Sequence, residues 1–320
     1  MKTIAVLTSG GDAPGMNAAI RAVVRAGIAL GMNVKGVRRG YSGLIEGDIV
    51  DLDARSVSDI IHRGGTMLYT ARCPEFKTQE GIDMAVETCK KFGIEGIVVV
   101  GGDGSFRGAR DLSLSGIPCV GVPGTIDNDI SSTEYTIGYD TAMNTAMEMV
   151  DKLRDTAQSH ERCSVVEVMG RRAGYLALQT GIACGAVSIL VPEIEYDLDR
   201  DVIQKIQTIK KTGKKHFIVV VAEGVGGVEG IADRIEQATG IESRATILGH
   251  VQRGGSPTVR DRVMASQFGY HAVELLKDGI GNRVVTYVNN KIGDEDIYEA
   301  LAMKKIFDIE EYNIATAISI

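Results

Sequence analysis

Two loops in this chain carry residues whose types and spacing can move a phosphoryl group. The first, Gly101-Gly102-Asp103-Gly104-Ser105, follows the apolar run Ile97-Val98-Val99-Val100. Glycines let a backbone approach a polyanion and point its N–H groups at it. The lone carboxylate, Asp103, can hold the Mg²⁺ that such a polyanion brings. The second loop, Pro123-Gly124-Thr125-Ile126-Asp127-Asn128-Asp129, supplies two more carboxylates. One acid for a metal and another for a proton is the minimal kit of phosphoryl transfer. Strand–Gly-Gly turns alone are common in α/β proteins; the two loops together specify the chemistry.

A third turn, Thr8-Ser9-Gly10-Gly11-Asp12-Ala13-Pro14-Gly15, joins a first strand to a helix and places glycine N–H groups at a helix N-terminus, a ready anion site. Neither GxxxxGK[ST] nor GxGxxG occurs, which excludes a Walker-A enzyme and argues against a dinucleotide binder. Taken singly, a Gly-Gly turn is equally a plain βα connection. Three of them in one chain favour phosphate binding.

Basic residues collect near these turns. Arg21 and Arg25 lie one helical turn apart and share a face. Arg154 and the run Lys214-Lys215-His216 can complete a second basic cluster. Arg72, just before Cys73-Pro74, is poorly placed for a helix and is expected to point from a loop. Met169-Gly170-Arg171-Arg172 is expected to leave a strand and open a helix. His250-Val251-Gln252-Arg253 sets a His and an Arg three residues apart beside glycines, a fork for a phosphate or sugar. Each could be a solvated surface, but so many arginines at glycine-rich strand ends fit a site for small anions.

The elements that must position these residues alternate along the chain. Strands are predicted at 3–8, 34–38, 96–100, 119–122, 164–168, 187–191, 217–222, 246–248 and 284–288. Helical periodicity occupies 15–30, 78–92, 141–157, 171–183, 199–212, 231–238 and 261–277. Val/Ile-rich strands with intervening helices predict parallel sheets covered on both faces. Nine strands are many for one sheet and the pattern restarts near residue 139. The expected fold is therefore α/β, with two Rossmann-like three-layer lobes and a site in the cleft between them.

Composition narrows the partners. A net charge of −7 over 320 residues argues against nucleic acid or an anionic membrane. Trp is absent and aromatics make up 5% of the chain, which is unsuited to base stacking. Glycines number 39, well above the usual roughly 7%. The five cysteines show no CxxC spacing and read as reduced thiols of a cytoplasmic protein. No signal peptide and no 18-residue apolar run are apparent, so neither export nor a membrane span is expected.

The segments LTSGGDAPGMNAAIR (7–21), GGTMLYTARCPEF (64–76), GGDGS (101–105), PGTIDNDI (123–130), SHERCSVVEVMGRRAG (159–174) and LGHVQRGGSP (248–257) resemble, in order and over nearly the whole chain, the bacterial ATP-dependent 6-phosphofructokinases. The resemblance implies transfer of the γ-phosphoryl of MgATP to the 1-hydroxyl of fructose 6-phosphate in glycolysis. It implies ATP contacts from Gly11, Arg72, Cys73, Gly102, Asp103, Gly104 and Ser105, with Asp103 serving Mg²⁺. Asp127 would be the general base, Thr125 and Arg171 would stabilise the moving group, and Asp129 would support the loop. Thr125, Ile126, Asp127, Met169, Gly170, Arg171, Glu223 and the run His250, Val251, Gln252 and Arg253 would line the sugar site. The 6-phosphate would be gripped by His250 and Arg253 of one subunit and by Arg162 and Arg244 of a neighbour, within a homotetramer.

The same resemblance implies a large ATP lobe at 1–138 plus about 252–304, and a smaller sugar lobe at 139–251 plus about 305–320. It also implies an effector site for ADP or phosphoenolpyruvate from Arg21, Arg25, Arg154, Gly185, Val187, Lys211, Lys214, Lys215 and His216. Val187 departs from the pattern, standing where relatives carry an acidic residue toward the effector's Mg²⁺. Ala54 likewise stands where some relatives carry Arg. These departures from the resemblance imply weak or altered ADP activation. Pyrophosphate-using relatives carry Asp and Lys where this chain has Gly104 and Gly124, so ATP is favoured. An NAD-kinase-like enzyme shares the GGDG turn but leaves the other segments unexplained. A catalytically silent regulator would not need Asp103 and Asp127, and both are present.

Overall fold

A computed structural model describes residues 1–319. Eleven strands are seen among them: β1 (Thr3–Thr8), β2 (Asn33–Val37), β3 (Ile49–Leu52), β4 (Gly96–Gly101), β5 (Cys119–Pro123), β6 (Cys163–Val168), β7 (Ser188–Leu190), β8 (Phe217–Ala222), β9 (Ser243–Ile247), β10 (Arg283–Val288) and β11 (Lys291–Asp296). The helices are α1 (Met16–Ala29), α2 (Gly40–Glu46), α3 (Gln79–Phe92), α4 (Asp103–Leu114), α5 (Tyr139–Ser159), α6 (Tyr175–Ala183), α7 (Gln204–Lys210), α8 (Val228–Thr239), α9 (Val259–Lys277), α10 (Ile297–Ala302) and α11 (Ile309–Ala317). The strands form two sheets, in the orders β11-β10-β5-β4-β1-β2-β3 and β7-β8-β6-β9.

The chain divides into two compact units. One comprises Met1–Ile126, Ile130–Thr141 and Arg253–Lys305; the other comprises Asp127–Asp129, Ala142–Gln252 and the chain from Ile306 onward. Residue 320, which the expected smaller lobe included, lies outside the described residues. In the first unit, β10, β5, β4, β1 and β2 run parallel. All six residues of β4 are buried, as a central parallel strand requires. In the second unit every strand pair is parallel, and β8 is likewise wholly buried. Val219, Val221, Ile206 and Ile235 anchor its core.

Several expectations need correction. β3 and β11 pair antiparallel at the two edges of the larger sheet. Neither was foreseen, because an edge strand needs little apolar surface and carries charges that protect it. For the same reason β9, at the edge of the smaller sheet, begins three residues earlier than predicted, at Ser243. A helix was not predicted after the GGDGS turn, yet α4 starts at Asp103 itself, with Gly102 extended at its N-cap (φ −103°). The helix expected from Arg171 starts instead at Tyr175. Gly170 and Arg171 take φ of 140° and 55°, both incompatible with a right-handed helix. The helix predicted over 199–212 opens with a π-helical turn, Asp199–Ile203, before α7.

Candidate active site

The first unit brings together the glycine turns at the carboxyl ends of β1 and β4. These strands are hydrogen-bonded neighbours, so the turns that follow them are adjacent. The Ser9 N–H donates to the Val100 carbonyl at 3.0 Å, and the Gly124 N–H to the Gly101 carbonyl at 2.9 Å. A Cβ on Gly101 would stand 2.5 Å from both the Ser9 carbonyl oxygen and the Ser105 Oγ, so the two turns pack this closely only around a glycine. Asp103 occupies the first turn of α4, where the helix dipole favours its negative charge. Its carboxylate is paired with Arg107 one turn on, Nε–Oδ2 3.0 Å.

The loop expected to carry Arg72 is pinned from several sides. Asn17, buried on α1, donates through Nδ2 to the carbonyls of Arg63 and Gly64 and accepts the Met67 N–H at 2.7 Å. Thr8 Oγ1 donates to the Tyr69 carbonyl at 2.9 Å and Thr70 Oγ1 to the Gly10 carbonyl at 2.7 Å. Arg72 itself is exposed in this loop, outside any helix, as the following Cys-Pro predicts. Cys73 is half-buried with Sγ 3.6 Å from Glu75, and burial pushes its thiol pKa up. The Arg253 guanidinium lies over Gly11 and donates to the Asp12 carbonyl at 3.2 Å. Arg253 therefore joins the β1–α1 turn.

Gly104 and Gly124 serve different purposes. A Cβ on Gly104 would meet nothing within 4 Å. One on Gly124 would stand 3.1 Å from Val100 Cγ1 and 3.3 Å from Met16 Cε, so packing already uses its lack of a side chain.

Of the residues expected at the sugar, Asp127, Met169, Gly170, Arg171, Glu223 and His250–Gln252 belong to the second unit, and Thr125, Ile126 and Arg253 to the first. Asp127 is 3% exposed, and Asn128 beside it takes φ of 49°. Asp129 Oδ2 lies 3.9 Å from Arg171 Nη1. The Arg171 N–H donates to the Glu223 carboxylate, which stabilises the left-handed turn that ends the expected helix early. Gln252, fully buried, accepts the Met169 N–H at 3.4 Å and donates to the Gly249 carbonyl at 3.1 Å. It thereby ties the 3₁₀ turn Gly249–Arg253 to the end of β6 and leaves His250 and Val251 exposed. Arg162 and Arg244 share one partner, Glu242, at 2.7 and 2.5 Å. The Arg162 hydrogen bond first, then that of Arg244, holds the Glu242 carboxyl below its ordinary range. On β6, burial and then the nearby Glu223 raise the Glu167 carboxyl.

The effector candidates are divided between the units. Arg21 and Arg25 sit on α1 of the first unit; the others belong to the second. Arg154 donates to the Cys184 carbonyl, and Lys215 pairs with Glu161 at 2.6 Å. Burial, then Lys214 and Arg154, lowers the His216 pKa. Gly185 takes φ of 58° at the turn before β7. Lys211 follows α7 as its C-cap. Val187 is 3% exposed and lies in the core of this unit, with its N–H on the Ile218 carbonyl at 2.8 Å. Its side chain faces hydrocarbon and presents nothing to a ligand.

Among the described residues, no group of three or more His, Cys, Asp or Glu side chains converges as a metal site. Asp103, about half exposed, is the first residue of α4. No described helix is long and apolar enough to cross a membrane.

Parallel α/β units, glycine turns at adjacent strand ends, a carboxylate at a helix N-terminus and a buried aspartate define the class: an α/β phosphotransferase. The phosphofructokinase family model matches residues 3–276. Two curated relatives named "ATP-dependent 6-phosphofructokinase" cover the whole of this chain and are wholly covered by it. One is from Clostridium botulinum, 60% identical over 319 residues, and one from Bacillus cytotoxicus, 59% identical over 320. Among solved structures, phosphofructokinase from Saccharomyces cerevisiae matches 99% of this chain with a TM-score of 0.89 at 36% identity. This chain spans 47% of that yeast chain. A pyrophosphate-dependent phosphofructokinase from Marinobacter aquaeolei, 23% identical, shares the fold over 97% of this chain and 86% of its own, with a TM-score of 0.86. The chain belongs to the phosphofructokinase family.

Residues that sequence reasoning passed over were Asn17, Arg107 and Thr136. Asn17 lay within a quoted motif, and its signal was an amide on an otherwise apolar face of α1. Thr136 Oγ1 donates to the Thr125 carbonyl at 2.6 Å, and nothing in its local sequence announces that partner.

Proposed function

We propose that this chain transfers the γ-phosphoryl of MgATP to the 1-hydroxyl of fructose 6-phosphate, releasing ADP and fructose 1,6-bisphosphate. The observation that carries this reading is 60% identity, end to end, to relatives named for that reaction. In this reading Gly11, Arg72, Cys73 and Gly102–Ser105 hold ATP, and the open space beside Gly104 admits the nucleotide. Asp103 would hold Mg²⁺, which when bound neutralises phosphate charge. Asp127 takes the proton of the 1-hydroxyl as that oxygen forms its bond to the γ-phosphorus and the bond to ADP breaks. Asp127 is 3% exposed, which keeps bulk water from competing for the hydroxyl. Thr125 and Arg171 stabilise the charge of the moving group, and Asp129, near Arg171, keeps the guanidinium oriented.

Met169, Gly170, Arg171, Glu223 and His250 to Arg253 bind the sugar. Arg162 and Arg244 reach the 6-phosphate of a neighbouring subunit in a homotetramer; a phosphate there would compete with Glu242 for both guanidinium groups. ATP is assigned to residues 1–138 plus about 252–304 and the sugar to 139–251 plus about 305 onward. Phosphoenolpyruvate and ADP are the effectors, and the substrates are metabolites of the cytoplasm, where we place the enzyme.

A coupled assay with ATP and fructose 6-phosphate tests the reading. Asp127→Ser removes a positioned base worth roughly 10²–10⁴-fold and should cut turnover by that factor while leaving the sugar KM nearly unchanged. Wild-type turnover in that variant refutes the base assignment. An inactive wild-type protein refutes the reaction.

A further inference from the structure

Asp261 lies outside every loop assigned to chemistry, in the first turn of α9, and is 0% exposed. Four donors converge on its carboxylate. Oδ1 accepts from the Tyr135 hydroxyl at 2.5 Å and the Gly138 N–H at 2.7 Å. Oδ2 accepts from the Thr141 N–H at 2.8 Å and from the Thr141 hydroxyl. A carboxylate is the side chain that can accept all four without offering a proton. Helix α9 is set in place by its N-cap, Thr258, whose hydroxyl accepts the Asp261 N–H at 3.2 Å and donates to Asp140 at 2.6 Å. The Arg260 guanidinium sits over the Tyr135 ring, 4.8 Å from its centre.

The segment that Asp261 holds touches the Pro123–Thr125 backbone and the β1–α1 turn. Residues 135–138 lie against Pro123–Thr125: the Ile137 N–H donates to the Pro123 carbonyl at 2.9 Å, and Thr136 Oγ1 donates to the Thr125 carbonyl at 2.6 Å. Asp127 follows two residues later. On the other side, a Cβ on Gly138 would stand 2.6 Å from Ala13 Cβ, and one on Gly15 would stand 2.6 Å from Ile137 Cγ2 and 3.5 Å from Asp261 Cβ. The 135–138 segment is therefore wedged between the β1–α1 turn and the backbone that leads to Asp127.

We propose that Asp261 is a positioning residue for phosphoryl transfer, fixing residues 135–141 and through them the separation of the Gly10–Gly15 turn from the Pro123–Thr125 backbone. The proposal rests on the reaction assigned above. The two can fail separately, because wild-type turnover is measured first and its absence overturns the reaction alone.

Asp261→Asn keeps shape but replaces one acceptor oxygen with an NH₂ group. Whichever way the amide turns, it faces a backbone N–H, of Gly138 or of Thr141, that cannot reverse. The expected result is a fall in kcat of about tenfold or more, with KM for ATP and fructose 6-phosphate within about threefold of wild type. Destabilisation alone, in a protein still folded at the assay temperature, would leave kcat unchanged. The same readout is taken in a double-mutant cycle with Thr136→Val, which removes the link to the Thr125 carbonyl. Action through one segment requires that the second substitution add little, less than about twofold, to the first. Unchanged kcat in folded Asp261→Asn, or losses that multiply in the double variant, overturns the proposal. If Asp261→Asn does not fold by circular dichroism, Tyr135→Phe replaces it in the same cycle. It deletes one of the four donors and leaves both backbone N–H groups paired; a several-fold loss of kcat, again non-additive with Thr136→Val, is expected, and unchanged kcat or additive losses overturn the proposal.

Discussion

Gly104→Asp separates folding from donor recognition, because the two effects have opposite signs. Gly104 is the second residue of α4, its φ lies outside the left-handed region, and a Cβ there meets nothing within 4 Å. The fold therefore accepts a side chain. Replacing a glycine at a compatible position stabilises by about 0.4–1 kcal/mol through the unfolded chain. A carboxylate in the first turn of a helix contributes a further ~0.3–1 kcal/mol. Ligand-free thermal stability should thus stay level or rise.

Nucleotide use should fall sharply. If the turn cradles ATP, the introduced carboxylate faces a phosphate, and two like charges about 4 Å apart at an effective dielectric constant near 20 repel by about 4 kcal/mol. That corresponds to roughly 10³-fold in kcat/KM for ATP. The fructose 6-phosphate KM, measured at saturating ATP, should move little. Thermal melts without ligand, and initial rates with ATP and with pyrophosphate as donors, provide the three readouts. A variant whose kcat/KM for ATP stays within about threefold of wild type would refute the view that the space beside Gly104 admits the nucleotide.

Two further outcomes are expected. The Asp103–Arg107 pair is solvent-exposed and joins residues one helical turn apart, so it is worth about 0.3–0.5 kcal/mol. Arg107→Gln should therefore tighten binding of Mn²⁺ with ATP, followed by electron paramagnetic resonance, by about twofold, whereas marked weakening would make Arg107 a nucleotide ligand instead. Because Val187 is sealed in the second unit's core, MgADP should shift the half-saturating concentration of fructose 6-phosphate by less than the roughly fivefold at which typical allosteric coupling begins. Phosphoenolpyruvate inhibition should persist, and strong ADP activation would show that some other group meets the effector.

Much of this protein was legible in local sequence. The central strands appear as runs such as Val98-Val99-Val100 and Val219-Val220-Val221, because a parallel strand buried on both faces needs continuous apolar residues. The glycine turns were legible because close backbone approach restricts residue type. Exposed Arg72 followed from the proline two positions on. The edge strands β3 and β11 escaped notice because edges are selected for charge and shortness, which look like loop. The sequence also could not show that Arg171 would leave the helix, since its left-handed turn depends on Glu223, 52 residues later.

The same holds for the residues that aim the site. Asn17 reaches Arg63, Gly64 and Met67; Gln252 reaches back 83 residues to Met169; Asp261 takes its donors from more than 100 residues away. By itself the sequence determined which residue types could do chemistry and which strands could bear them, since both depend on nearest neighbours and on burial. Which buried carboxylate or amide satisfies which backbone was decided only in the tertiary structure. A buried polar group must find a partner, and no short stretch of chain specifies where that partner comes from.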